Sequence, residues 1–159
     1  MVSEKSYKLL YPMRVCLISA SHEGKDNFMP AAWVYPVSAE PALYAVAISK
    51  KRFTYNLIGK SGYFVINVPG AKLKDKLEKF GRTSGKDWDK FRLWGLTKEK
   101  CEKIPCVSIT EALMSMEMKV SIEYEIGDHV LFIGELLHVK ERKKAKGIYQ
   151  SSDGIYLIL

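Results

Sequence analysis

Apolar and polar residues alternate without a miss from Met114 to Tyr124 (MSMEMKVSIEY), the period-two mark of a β-strand with one buried and one wet face. Glu125–Asp128 turns the chain, and His129–Val139 (HVLFIGELLHV) returns as a more apolar strand, buried on both sides for much of its length. Gly134 inside it predicts a bulge or a close backbone approach. Earlier in the chain, Arg14–Ala20 reads as a strand, His22–Asn27 as a turn of hairpin length, and Phe28–Tyr35 as a strand pairing antiparallel with the first. Pro36–Pro41 interrupts the pattern and Ala42–Ile48 resumes it. Two prolines suit no central ladder, so this bend is expected at a sheet edge or rim. Thr54–Lys60 predicts a short helix ending near Gly59 or Gly62, and Tyr63–Pro69 another strand. Leu73, Leu77 and Phe80 are spaced for an amphipathic helix over Ala71–Phe80, stopping at Gly81. Arg82–Gly95 has no clean period, with a helical turn at Asp87–Phe91, and Gly147–Leu159 supplies a last strand segment or two.

Six or more strands joined mostly as hairpins, with two or three short helices, predict a mainly β protein with short α additions: an antiparallel β-barrel. No βαβ rhythm and no GxGxxG run is present, which argues against a Rossmann dinucleotide fold.

The chain has 159 residues, 47% hydrophobic and 27% charged, which predicts one ordered domain over residues 1–159. Its apolar runs are too short to cross a bilayer, and MVSEKSYKLLYPM has no long apolar stretch of the signal-peptide kind, so a cytoplasmic protein without a membrane partner is expected. Cys16, Cys101 and Cys106 give no CxxC pair, no disulfide framework and no metal ligand set. The net charge of +7 could signal nucleic acid. The lysines are scattered, however, and the densest run, Glu141–Gly147, reads as a solvated loop; a small anionic ligand is better served than a polynucleotide.

The chemistry concentrates where Ala42–Ile48 ends. Ser49, Lys50, Lys51, Arg52 and Thr54 place two hydroxyls and three cations before a helix N-terminus, a set suited to a phosphate ester. A plain surface loop is the alternative, but neither Arg52 nor Phe53 is a favoured cap, and three adjacent cations repel unless an anion sits among them. Upstream, Met29, Pro30, Ala31, Ala32 and Trp33 form a strand whose small residues let a flat ring lie close. Together they predict a flavin mononucleotide (FMN) site. Trp33 reads equally as a core aromatic, Thr83–Ser84–Gly85 as a plain turn, and His129 as a hairpin cap; Met114, Met116 and Met118 read as core.

Pro12 with RVCLIS, then NFMPAAWVYPVSAEPALYAVAISKKRFTYNLI, YFVINVP, GRTSGKDWDKF and GDHVLFIGELL, in that order, resembles the flavin reductase-like family over about nine tenths of the chain. That resemblance implies an FMN-binding split barrel, a homodimer, and a flavin at the barrel rim near the subunit interface. It places the isoalloxazine against Met29–Trp33 and the bend before Ser38, and the phosphate on Ser49, Lys50, Lys51, Arg52 and Thr54. It brings Thr83, Ser84 and Gly85 near the same flavin, from one subunit or the other, and His129 near the flavin or an incoming nicotinamide, the candidate catalytic contact. Where relatives carry Thr or Asn in the first ligand strand this chain has Pro30, Ala31 and Ala32, so hydrogen bonds to the flavin edge pass to the backbone. The implied activity is reduction by NADH or NADPH and delivery of electrons to free flavin, ferric iron or a partner protein. An electron carrier without nicotinamide turnover and a basic nucleic-acid-binding barrel are the rival expectations.

Overall fold

The computed structural model describes residues 2, 3 and 5–159. In chain order the elements are β1 (Met13–Arg14), β2 (Cys16–His22), β3 (Lys25–Ala31), β4 (Val34–Ser38) and β5 (Leu43–Ser49). They continue with helix α1 (Phe53–Ser61), β6 (Tyr63–Pro69), α2 (Leu77–Arg82) and α3 (Lys90–Trp94). The remainder is β7 (Lys98–Lys100), β8 (Val107–Ile109), β9 (Ala112–Ile126), β10 (His129–Glu141), β11 (Ile148–Gln150) and β12 (Tyr156–Ile158). The protein is thus mainly β, as the alternation predicts.

One antiparallel sheet of seven strands, in the order β3-β2-β6-β9-β10-β5-β4, carries the architecture. The expected single strand Phe28–Tyr35 is two strands: β3 stops at Ala31, β4 starts at Val34, and the two occupy opposite edges of the sheet. Ala32 and Trp33 carry the chain across the gap between edges. The sheet curls until its margins approach there without a hydrogen-bonded seam, which is a split barrel. The prolines sit where a missing N–H costs least: Pro30 and Pro36 lie on the two edge strands, and Pro41 in the turn after β4.

The β9 alternation holds, but its faces do not separate as expected. Ser115, Met116, Glu117 and Met118 are all buried, because the hairpin β7–β8 and its loop cover the outer side. Buried Glu117 is satisfied there, accepting from the backbone N–H of Glu102 (2.8 Å) and of Lys103 (2.7 Å). Farther on, Val120 pairs with Gly134 and Ile122 with Ile133, so Ser121 is the extra residue of a bulge. A one-residue slip flips the faces. Glu123 and Glu125 now lie opposite the core residues Phe132 and Val130, while Ile122, Tyr124 and Ile126 turn outward and are exposed.

The interior of the sheet packs Ile18, Val46, Ile48, Phe64, Met118 and Phe132 against Leu57 and Ile58 of α1. On the other side of β2 and β3, Leu17 and Phe28 meet Leu77 and Phe80 of α2 and Phe91 of α3. Phe28 contacts Phe80 and Phe91 edge-on, each with ring centroids 5.0 Å apart. Asn67 ties the two regions: its Nδ2 donates to the Leu17 carbonyl and Ser19 Oγ, and its Oδ1 accepts from Ile109 N and Ser115 Oγ. Its hydrogen-bonding capacity is filled, so a buried amide is tolerated.

Gly134 is where β10 must let the core in. A Cβ there would lie 2.9 Å from Phe64 Cε1 and 3.1 Å from Met118 Cβ, both on fully buried side chains. Gly134→Ala is expected to lower unfolding free energy by about 1–3 kcal/mol, read as a lower urea midpoint; an unchanged midpoint would show that β10 yields freely.

Candidate functional site

Where the sheet edges approach, two adjoining cavities open. The wider, about 520 Å³, is lined by Met29, Pro30, Ala31, Ala32 and Trp33 at the β3 margin, by Ala47, Ile48 and Ser49 at the end of β5 and His129 at the start of β10 across from them, and by Tyr11 and Gln150. The narrower, about 140 Å³, shares Met29, Pro30, Lys51 and Arg52 with it and continues past Asn27, Phe53, Thr54, Gly81, Arg82, Thr83, Ser84, Gly85 and Lys90. The sequence-predicted strand, cationic turn and Thr83–Gly85 loop therefore meet within one chain.

Two predicted residues do not join them. Lys50 turns away and pairs with Glu125 of β9, whose hydrogen bond raises the Lys50 pKa; it lines neither cavity. The bulge at Ser121 sends Glu125 to that side, and it offers Lys50 a partner at the surface. Ser38 closes edge strand β4 opposite Leu43 and lines neither cavity.

The narrow cavity is built for an anion. Helix α1 begins at Phe53 with no side-chain cap from Arg52; Tyr55 N–H donates to the Arg52 carbonyl (3.2 Å), and the N–H groups of Phe53 and Thr54 are left at the cavity wall. Thr54 is fully buried and its Oγ1 accepts from Asn27 Nδ2 at 2.9 Å, leaving the hydroxyl proton free to donate. Arg52 Nη1 donates to the Gly81 carbonyl (3.1 Å), which fixes the guanidinium beside the opening. Gly85 lies so close to Asn27 that a Cβ would fall 2.1 Å from Asn27 Oδ1. Asn27 Oδ1 itself is buried without a partner, a position an incoming hydroxyl would satisfy.

Lys90, not predicted from sequence, completes this set. Only 2% exposed, it donates to the Phe80 carbonyl (2.6 Å) and has no carboxylate partner among the described residues. Its ammonium lies 4.9 Å from the Phe28 ring centroid. Burial, helped by the nearby Arg52 charge, pulls its pKa down to about 8. A buried, unpaired cation beside Arg52 is a place that wants negative charge. Its sequence signal was faint: Asp87-Trp88-Asp89-Lys90-Phe91 reads as a helical turn with nothing to mark Lys90 as buried, and only the fold, with Asp89 capping α3, buries Lys90 and Phe91 together.

The wide cavity has an aromatic wall. Trp33 Nε1 donates to Tyr11 Oη at 3.2 Å, and its ring lies against His129, with centroids 4.6 Å apart and 34° between the planes. Tyr7 meets the Trp33 ring edge-on at 5.4 Å. His129 Nδ1 is 2.6 Å from Asp128 Oδ1, and this bond holds the Asp128 carboxyl below its ordinary pKa. Ser49 Oγ accepts from Lys51 N (3.3 Å), shaping the turn below. A planar group against Ala31 and Ala32, with its acidic tail in the narrow cavity, matches this outline. A phosphorylated flavin fits on that ground: the orphaned Asn27 acceptor, the uncapped helix and the unpaired Lys90 are each answered by its parts. Among the described residues no cluster of three or more His, Cys, Asp or Glu could hold a metal, and no helix is long and apolar enough to cross a membrane.

Residues 8–154 match the flavin reductase like domain family. A relative from Archaeoglobus fulgidus, an uncharacterised protein, is 42% identical over 130 residues, 82% of this chain and 73% of its own. A second from the same organism, a ferric-chelate reductase (NAD(P)H), is 26% identical over 90% of this chain and 83% of its own. Among solved structures, an FMN-binding protein from Thermus thermophilus superposes with a TM-score of 0.89 at 26% identity, covering 99% of this chain and 92% of that one.

The lowered Lys90 pKa has a signed consequence. Between about 8 and its ordinary 10.5 the unfolded chain binds more protons than the fold, so stability rises with pH across that window, and the penalty is present in full below it. Lys90→Met removes the group. The wild-type unfolding free energy relative to this variant, from urea titrations at pH 7 to 10, is expected to climb above pH 8 by at most about 1.4 kcal/mol per pH unit; a flat difference would show that Lys90 titrates normally.

Proposed function

The chain belongs to the flavin reductase-like family, and from that premise we propose that it is an FMN-binding oxidoreductase, reduced by NADH or NADPH, that delivers electrons to free flavin, ferric iron or a partner protein. One observation carries the reading: a ring-sized cavity walled by small residues opens directly into a narrow cationic one at an uncapped helix start. The relative's name, a ferric-chelate reductase using NAD(P)H, supports the donor and one of the acceptors.

When bound, FMN supplies the redox chemistry, taking up hydride and giving up electrons. The protein's part is to hold and shield. Lys51, Arg52 and Lys90, with the first N–H groups of α1 and the Thr54 hydroxyl, bind the phosphate. Asn27 Oδ1 takes a hydrogen bond from the sugar-alcohol chain, and Thr83, Ser84 and Gly85 close that end. Met29–Trp33 gives the ring a surface whose polar groups are backbone N–H and C=O, since Pro30, Ala31 and Ala32 offer no side-chain donors. Ser49 rims the ring cavity. Trp33, pinned by Tyr11 and His129, keeps water from one margin, and His129, steadied by Asp128, stands where a nicotinamide would enter. No general base is needed for hydride transfer.

The protein is proposed to act as a homodimer. Tyr35, Ile122 and Tyr124, flanked by half-buried Leu131 and Ile133, form an apolar outer face that runs up to His129. A contiguous face of this kind marks an interface. Sedimentation equilibrium should give twice the chain mass; a monomer at micromolar concentration would remove the dimer.

Two further measurements test the whole. Lys51→Ala combined with Arg52→Ala should raise the FMN dissociation constant about 100-fold, the scale of lost charge-assisted hydrogen bonds, while Lys50→Ala stays within about threefold of wild type. Equal losses from all three cations would place the phosphate elsewhere. Flavin-loaded protein mixed anaerobically with NADH or NADPH should lose its visible absorption within seconds; persistence of colour with both would leave an electron carrier.

A further inference from the structure

Away from the cleft, the hairpin β7–β8 holds two of the three cysteines in register. Lys98 pairs with Ile109, Glu99 with Ser108 and Lys100 with Val107. One step farther, Cys101 N donates to the Cys106 carbonyl at 3.0 Å, which makes Cys101 and Cys106 the next directly opposed pair. Side chains opposed across an antiparallel ladder leave the same face. Both thiols accordingly sit in one small buried cluster with Ile104 and Val65, 9% and 3% exposed.

We propose that Cys101 and Cys106 form a redox site, closing an intrachain disulfide across the end of this hairpin. Opposed hydrogen-bonded residues in an antiparallel pair have Cα atoms roughly 5.5 Å apart, and disulfides form at Cα separations of about 4.4–6.8 Å. Opposed Cβ atoms stand about 4.5–5.5 Å apart and a disulfide draws them to about 3.5–4.5 Å, so the bond needs a small shift at the hairpin end, where Cys106 N–H has already left the ladder for the Ile104 carbonyl (2.9 Å). The four residues between the cysteines are held independently, because buried Glu117 accepts from the N–H groups of Glu102 and Lys103 and keeps the loop in its closed shape. Cys16 is excluded as a partner: it lies on β2 facing the other cluster.

The oxidant is a small-molecule disulfide. The thiolate of one cysteine attacks a sulfur of the oxidant, forming a mixed disulfide and expelling one thiolate, which takes up a proton. The thiolate of the second then attacks the protein-bound sulfur, forming the Cys101–Cys106 bond and expelling the second small thiol. Two protein thiols are oxidised and one small disulfide is reduced to two thiols. Burial pushes both thiols above their ordinary pKa, Cys106 to about 11, so the exchange is slow in the closed fold and waits on opening of the loop.

The test uses the full folded protein, equilibrated with oxidised glutathione, acid-quenched, denatured, alkylated with N-ethylmaleimide and mapped by peptide mass. The expected result is a peptide pairing Cys101 with Cys106, two hydrogens lighter than the reduced form and unlabelled, while Cys16 is fully labelled. Reduction should return both labels, and the oxidised protein should melt at a higher temperature than the reduced one, a difference lost in Cys101→Ser and in Cys106→Ser. Complete alkylation of both cysteines, glutathione adducts in place of the internal bond, or a bond to Cys16 would each overturn the proposal.

Discussion

A ladder that runs through seven strands and whose two edge strands are joined by Ala32 and Trp33 sets the terms for everything else. From Ala31 to Val34 is three peptide steps, at most about 11 Å, so the two margins must come together at that point. A barrel with no hydrogen-bonded seam leaves backbone and small side chains facing a gap, and the cleft opens on its β3 side, against the ends of β5 and β10. Water or a ligand must satisfy what the missing ladder would have paired.

The narrow end of the cleft shows how the surroundings exploit that opening. Helix α1 starts at the rim without a cap, Lys90 is buried without a carboxylate, and Asn27 Oδ1 has no donor. Each is a local cost that its neighbours do not offset, and the Arg52 charge adds to that of Lys90. Positive groups would repel in an empty, closed interior; here they are arranged around a cavity of about 140 Å³, the place proposed for the phosphate. The fit to a phosphorylated flavin thus rests on several independent deficits rather than on one motif.

At the opposite end of the sheet, a single extra residue decides what the protein shows its surroundings. Ser121 reverses the facing of β9, taking Ile122, Tyr124 and Ile126 out of the core and sending Glu125 toward Lys50. The same bulge therefore removes a cation from the ligand set expected from sequence and creates the apolar face beside His129. Elsewhere the outer side of β9 is covered by the β7–β8 hairpin, secured through Glu117, Asn67 and the ion pairs of Glu99 with Lys140 and Arg142.

Much of this was legible along the chain because it depends on neighbours in sequence. Period-two alternation fixed β9 as a strand, the prolines marked edges, Gly62 in a left-handed conformation ended α1, and Gly134 announced its bulge. The clustering of Ser49, Lys51, Arg52 and Thr54 before a helix was likewise a local property, and so was the family resemblance. What no window of sequence contains is facing and partnership. Lys50 and Lys51 are chemically alike and adjacent, yet one meets Glu125 and the other lines the cleft. Lys90 gained its character only when α2, α3 and Phe28 closed around it and stripped its water. Cys101 and Cys106, which give no disulfide framework along the sequence, are brought opposite each other by register. Sequence determined which elements form and which chemistry they carry; tertiary packing decided which charges lost solvent and which side chains met, because desolvation and register depend on residues far away along the chain.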